Sequence, residues 1–344
     1  MKKFALFLPL IVIPMLSGCC NRDTPTYLTY GTYKDAEAVQ LSSSDFTTRV
    51  SAGENFLMAI YPKDSDCFCW KHFSNVINEV VQKDHLLIYK FYAEDVDSNQ
   101  TMKDMGGFYN ESGEPTFYII RDKEIARSYK YSDTDFYKTR DGFLKEIEKL
   151  VVKPKMYLIS DTQLDQKLAN NESFSIYYAR YKCNDCNYVT PNTLMPYFGG
   201  HKDDRGDLYV LDLQSYRDED PTRYQELKDK YLLSTANNPE LGFEEGVVPT
   251  FQYYKDGSLY DMCVYFNEGT LTPGEGGYYA SNAYYNETRI NKLHYLGNVE
   301  TKDLTKVRIS PSDVTELNGK FYWNKNSSGS YYDPILRGFL DTYL

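Results

Sequence analysis

The residues with the most chemistry to offer are cysteines in two short motifs. Cys183-Asn184-Asp185-Cys186 is a C-x-x-C, Cys67-Phe68-Cys69 is a C-x-C, and Cys263 stands apart. Residues three apart at the start of a helix share a face. The outer sulfur of a C-x-x-C placed there lies near unpaired backbone N–H groups and the positive end of the helix dipole, which lowers its pKa and makes it the nucleophile. On that logic Cys183 attacks and Cys186 resolves. Asp185 between them disfavours a thiolate and so favours the oxidised pair, which predicts a moderate or low reduction potential. The other reading of the same pair is a structural disulfide without turnover. Cys67 and Cys69 pose a different problem, because residues two apart on a helix point roughly 200° away from each other and cannot pair if both are helical. His72 either tunes that site or simply packs beside it. Cys263 is read as a small buried hydrophobe, with a resolving role as the alternative.

The N-terminus says where these thiols work. Lys2 and Lys3 precede an apolar run from Phe4 to Leu16 that Pro9 and Pro14 interrupt. A membrane-spanning helix needs about 20 residues, so this shorter run is read as the apolar region of a signal peptide. Leu16-Ser17-Gly18-Cys19 resembles the bacterial lipobox. That resemblance implies removal of residues 1–18, lipidation of Cys19, and an extracytoplasmic chain anchored to the cell membrane by acyl chains, each buried methylene contributing about 0.8 kcal/mol. Residues 19–36 then read as a polar tether. Outside the cytoplasm thiols tend towards disulfides, so the cysteines are bridges or redox centres before they are zinc ligands. Neither a metal nor a cofactor is expected.

Composition narrows the classes further. With 49 acidic residues against 38 basic ones the net charge is −11, which lacks the Lys/Arg density that nucleic acid requires. The 34 tyrosines beside only 4 histidines fit a low-GC bacterial composition and half-buried strands better than a dedicated aromatic binding device. No nucleophile elbow, zincin helix or phosphate loop is present.

The elements that must position the cysteines come in two similar series. In the first, Phe56–Tyr61 is an apolar run of strand length that enters the C-x-C loop. Phe73, Val76, Ile77, Val80 and Val81 then recur at helical spacing. A strand at 86–91, a Pro-led strand at 115–120, a hairpin partner at 125–131 and a helix at about 135–151 follow. In the second, a strand at 156–159 and a helix capped by Ser160 or Asp161 precede Phe174–Ala179, which leads into the C-x-x-C. A helix at 188–198, a strand at 207–213, a helix at 222–233, a Pro-led strand at 247–254 and a hairpin strand at 259–266 complete it. An internal repeat of this kind is itself architectural evidence.

A strand ending in a dithiol motif at a helix start, followed by a Pro-Thr-Phe strand and a hairpin, resembles the thioredoxin-like superfamily, here twice over. The implied fold is α/β: two tandem three-layer domains, each with a central mixed sheet, at 37–152 and 153–344, the second with an insertion at about 268–330. The resemblance further implies a cis-proline facing each dithiol, at Pro115 and Pro249, with Val248 beside the latter docking substrate. Catalysis would fall to Cys183 and Cys186, and to Cys67 and Cys69 if the first motif is active. In that motif either Trp70 or Asp66 fills one cysteine place of the family pattern. The departures are long spacings from cysteine to proline, 48 and 66 residues, and the missing Trp before and Gly-Pro within each motif. The implied activity is thiol–disulfide exchange on exported proteins or with a redox partner protein. The alternative is a non-catalytic binding or accessory lipoprotein whose cysteines are staples. Residues 268–330, with Tyr278, Tyr279, Tyr284 and Tyr285 after a Gly-rich stretch, read as a looped insertion. The last residues read as a helix burying Ile335, Leu336, Phe339 and Leu340.

Overall fold

In the computed structural model, residues 24–264 are described apart from 35, 64–66, 109–113, 134, 201–204 and 234–247; within 265–334 five strands and the turn at 293–295 are described, and then 335–344. The signal peptide and Cys19 lie outside the described residues, as do Asp66, Tyr284 and Tyr285. No described helix is long and apolar enough to cross a membrane.

The chain opens with two short strands, β1 (Thr26–Tyr27) and β2 (Gly31–Thr32). The first half follows as β3 (Val39–Gln40), α1 (Ser43–Ser51), β4 (Phe56–Tyr61), α2 (Phe68–Asp84) and β5 (Ile88–Tyr92). It ends with α3 (Gln100–Met105), β6 (Thr116–Arg121), β7 (Glu124–Lys130) and α4 (Arg140–Ile147). After β8 (Val151–Val152) the second half runs β9 (Met156–Leu158), α5 (Asp161–Ala169), β10 (Phe174–Ala179) and α6 (Asn184–Val189). It continues through α7 (Met195–Gly200), β11 (Leu208–Asp212), α8 (Gln214–Glu219) and α9 (Pro221–Lys230) to β12 (Thr250–Lys255) and β13 (Ser258–Val264).

The two halves share one strand order. The first sheet is β3-β5-β4-β6-β7; the second, read from its other edge, is β9-β11-β10-β12-β13 with β2 added beside β9. In each, the central strand pairs in parallel with one neighbour and antiparallel with the Pro-led strand. This is the thioredoxin-like fold twice over. β4 and β10 are buried along their whole length because helices cover both faces, which is why they read as unbroken apolar runs. In the first half the covering side of α2 is the stripe Phe73, Val76, Ile77, Val80 and Val81. In the second, Tyr177 on β10 stacks on its register partner Phe251 with ring centroids 4.4 Å apart.

Three expectations need correction. Residues of the expected tether are built into the sheets: Gly31 and Thr32 pair with Tyr157 and Leu158, and Thr26 and Tyr27 with Val151 and Val152. Thr26, Leu28, Thr29 and Thr32 are buried there; Thr29 Oγ1 accepts from the Asn55 N–H and Thr32 Oγ1 donates to the Val81 carbonyl, so a sequence rich in hydroxyls is interior. Gly31 is needed at this junction, since a Cβ would sit 2.7 Å from the His85 carbonyl oxygen. Secondly, the insertion is not a loop throughout. β14 (Glu268–Gly274) and β15 (Gly277–Asn282) form a hairpin that takes in Tyr278 and Tyr279. With β16 (Val307–Ile309), β17 (Val314–Leu317) and β18 (Lys320–Trp323) they make a separate antiparallel sheet. Thirdly, α1 was not foreseen, although its start carries a readable signal. Ser42 accepts from the Asp45 N–H while Asp45 accepts from the Ser42 N–H, a reciprocal capping box.

Ser160 resolves the cap of α5, bonding reciprocally with Gln163. The terminal helix, over 335–343, buries Ile335, Leu336, Phe339 and Leu340 completely. Tyr343 from that helix donates to Asp261 on β13 at 2.5 Å. Replacing Ser42 with Ala should lower unfolding stability by about 1 kcal/mol in urea denaturation, because the α1 N–H groups lose their side-chain acceptor.

Candidate functional site

Cys183 is the N-cap of α6, in extended conformation, and follows directly from the buried strand β10 through Arg180, Tyr181 and Lys182. The helix that starts here runs through a π-helical turn at Thr190–Leu194 into α7. Pro191 lies in that turn; it lacks the N–H that a regular α-helical ladder would use. Both sulfurs are shielded, Cys183 at 8% and Cys186 at 3% exposure.

The two thiols titrate in opposite directions. Hydrogen bonds from the Cys186 thiol and backbone N–H to its sulfur bring Cys183 down to about 6, against the opposing effects of burial and Asp185. Asp185 therefore acts in the direction expected from sequence, and the helix-start hydrogen bonds outweigh it. Burial, reinforced by the bond to Cys183, pushes Cys186 well above an ordinary thiol. One activated outer sulfur and one protonated inner sulfur is the arrangement that a nucleophile and a resolving thiol need.

Across from the pair, Val248–Pro249 is a cis peptide bond, and the Cys183 thiol donates to the Val248 carbonyl at 3.6 Å. The structure thus brings together Cys183, Cys186, Val248 and Pro249. Cys263 lies elsewhere, wholly buried on β13 in register with Phe251.

The first half differs. Cys67 and Cys69 are joined in a disulfide, with Cα atoms 5.2 Å apart. The bridge forms because only Cys69 is helical: Cys67 is the non-helical N-cap of α2 and its sulfur accepts from the Cys69 N–H. The Pro115 peptide is not cis; Val248–Pro249 is the one cis bond among the described residues. The expectation of a cis-proline at Pro115 is therefore wrong. Its carbonyl accepts from the Tyr131 N–H, so this turn is held by the β6–β7 hairpin. Trp70 stacks on Tyr61 with centroids 3.8 Å apart, and His72 bonds Tyr131 Oη through Nδ1 at 3.0 Å. His72 packs in this aromatic group, while Phe68 between the cysteines is 79% exposed. Among the described residues no three His, Cys, Asp or Glu side chains converge on a metal position.

Sequence reasoning missed the contribution of the first half to the second half's motif. Tyr181, two residues before Cys183, donates to Asp45 on α1 at 2.5 Å, and Tyr30 and Thr190 share a hydrogen bond at 3.4 Å. Arg49 on α1 lies over the rings of Tyr181 and Tyr89. The Ser42 capping box would have located α1, but nothing in the sequence says where α1 docks.

No protein-family model matches the chain, and no curated protein matches it. Among solved structures, human ERp44 in its form II crystal is similar at 12% identity over 67% of this chain and 52% of that one, with a TM-score of 0.30. ERdj5 form II is similar at 14% identity over 65% of this chain and 26% of that one, TM-score 0.26. The first two thioredoxin domains of Naumovozyma dairenensis Eps1p give 13% identity, coverages of 64% and 87%, and a TM-score of 0.22. The chain spans about half the length of the ERp44 chains it matches. The thioredoxin-like fold rests on the strand order and pairing of the two sheets themselves.

Alkylation of reduced Cys183 should rise through about pH 6. Asp185→Asn should move the midpoint lower, because a charge opposing the thiolate is lost, and Cys186→Ala should move it higher. Rates of iodoacetamide labelling at Cys183, followed by peptide mass against pH, check both directions.

Proposed function

We propose that the chain is a membrane-anchored extracytoplasmic thiol–disulfide oxidoreductase acting on exported proteins through Cys183 and Cys186. The supporting observation is the activated Cys183 sulfur at a helix start, bonded to a resolving thiol and facing the cis Val248–Pro249 bond. In the reducing direction the Cys183 thiolate attacks a substrate disulfide and expels one substrate thiolate, leaving a mixed disulfide. Cys186, once deprotonated, attacks the Cys183 sulfur and expels the second. The substrate gains two electrons and the protein ends with a Cys183–Cys186 bond, which a redox partner protein must reduce again. The oxidising direction is the same sequence in reverse. Val248 and Pro249 would dock the substrate chain; Pro115 and the Cys67–Cys69 bridge would form a second station only if that bridge exchanges. Lipidation of Cys19 supplies the anchor and the location, and the two sheets belong to two domains meeting near residue 152.

The 8% exposure of Cys183 favours a second reading, a binding or accessory lipoprotein whose dithiol is a staple. Redox titration of the soluble chain against glutathione and dithiothreitol, with thiol trapping, separates the two. A pair that equilibrates in the folded protein, and a Cys186→Ala variant that accumulates mixed disulfides, support exchange. A bridge that resists reduction until unfolding overturns it.

A further inference from the structure

Basic side chains flank the paired strands β1 and β8 on both sides. Arg121, Arg127 and Lys149 line a cavity of about 220 Å³ together with Thr24, Pro25 and Thr26, and none of the described residues that line it is acidic. Arg121 is buried and is fixed there by donating through Nη1 to the Thr24 carbonyl at 2.7 Å. On the other side, Lys153 and Lys155 line a second cavity of about 40 Å³ with Tyr27, Leu28, Met195 and Phe198. Carboxylates stand at the rim: Glu146 pairs with Lys149 at 2.7 Å, Glu148 with Lys153 at 3.2 Å, and Asp122 approaches Arg121 at 3.9 Å. Exposed pairs of this kind are weak and screened by salt, so the lysines can be shared with a further anion. In a chain of net charge −11, gathering cations at one place makes that place the one an anionic partner favours.

The sheets set this patch opposite the cysteines. Arg121 ends β6, which runs antiparallel to β4, so it lies at the end where β4 starts, whereas Cys67 follows the end where β4 stops. Lys155 immediately precedes β9, which is parallel to β11 as β11 is to β10, so it too lies at the strand starts; Cys183 lies beyond the strand ends. A strand of six residues, the length of β4 and of β10, spans about 20 Å. Each sheet therefore has basic groups at one pole and a cysteine motif at the other. Thr24 follows Cys19 by five residues, at most about 18 Å of extended chain. A lipid on Cys19 would thus hold the basic pole near the bilayer surface, where the pull of anionic lipid on Lys and Arg is felt within a Debye length of about 8 Å.

Resting on the lipidation of Cys19 proposed above, we propose that Arg121, Arg127, Lys149, Lys153 and Lys155 form a docking surface for anionic phospholipid headgroups, which seats the strand-start pole on the bilayer and turns both cysteine motifs away from it. The acyl chains supply residence on the membrane, and the patch supplies orientation. Without the patch, an acidic body on a short tether is repelled by an anionic surface and has no preferred face towards it.

Vesicle co-sedimentation tests this with the mature chain carrying Cys19→Ser, which removes the anchor. At 50 mM salt it should bind phosphatidylglycerol vesicles, ignore phosphatidylcholine vesicles, and be released by raised salt. Lys153→Gln with Lys155→Gln should weaken binding at least about tenfold. Adding Arg127→Gln and Lys149→Gln should abolish it. Lys63→Gln with Lys182→Gln removes the same charge at the cysteine pole and should leave binding within about twofold. Hydrogen exchange in the vesicle-bound chain should slow at 149–155 and stay unchanged at 181–187. Absent or lipid-indifferent binding, equal losses in the patch and control variants, or slowing at 181–187 instead overturns the inference and leaves lipidation standing. Calorimetric binding of inorganic phosphate without vesicle binding likewise overturns it. A mature N-terminal peptide whose mass shows no lipid on Cys19 overturns the anchored reading, and this inference with it.

Discussion

A guanidinium removed from water must be paired, and the partner that Arg49 finds governs how this molecule is put together. Glu54 lies five residues further on, at the far side of the turn that links α1 to β4, so the pair closes within the first half. The charged group lies over the Tyr89 ring of its own sheet and the Tyr181 ring of the second half. Such a pair tolerates burial only when its other hydrogen-bonding groups are also answered and water is kept in a defined place. The second half supplies that enclosure through Tyr181, Asp212 and the helix that begins at Cys183. Arg49, Glu54 and Asp212 thus line the same cavity as Cys186.

That placement explains the asymmetry between the two cysteine motifs. Both stand where a central strand gives way to a long helix, and both helices begin with a cysteine as N-cap. Among the described residues only the second has a cis-proline opposite, and Arg49, Thr190 and Asp212 line the cavity behind its Cys186. The first has aromatic packing in that region instead, with Trp70 on Tyr61 and Phe73 among Phe117, Tyr137 and Phe143.

The features legible in the sequence were those whose signal is local. β4, β10 and α2 announce themselves by apolar runs and helical spacing, and Pro249 by its place in a strand behind a dithiol. The place of Cys183 at a helix start was legible from the C-x-x-C spacing alone, and the two thiols titrate in opposite directions. What stayed hidden depends on distant partners. Thr26, Thr29, Gly31 and Thr32 carry no apolar signal, and the pairing of this segment with β8 and β9 is what makes it interior. Pro115 carries the same Pro-Thr-Phe signature as Pro249, yet nothing in its neighbourhood reveals that its peptide stays trans. The strands between 268 and 323 include Pro273 and Gly274, residues poor in strand preference, and their sheet is separate from the other two. The docking of Arg49 against the second half leaves no trace in periodicity at all.

The β2 pairing has a consequence for biogenesis. Gly31 meets Tyr157, which follows it by 126 residues, and the same glycine bridges to Leu86. A chain that emerges from a ribosome or a translocation channel N-terminus first presents this segment long before its last partner is available. Contacts of such sequence separation cost loop-closure entropy and form slowly. The first sheet can assemble while β2 waits, its edge unclaimed, until β9 arrives to clamp both halves around the same few residues. The pairing of Gly31 and Thr32 is thus among the last contacts to form.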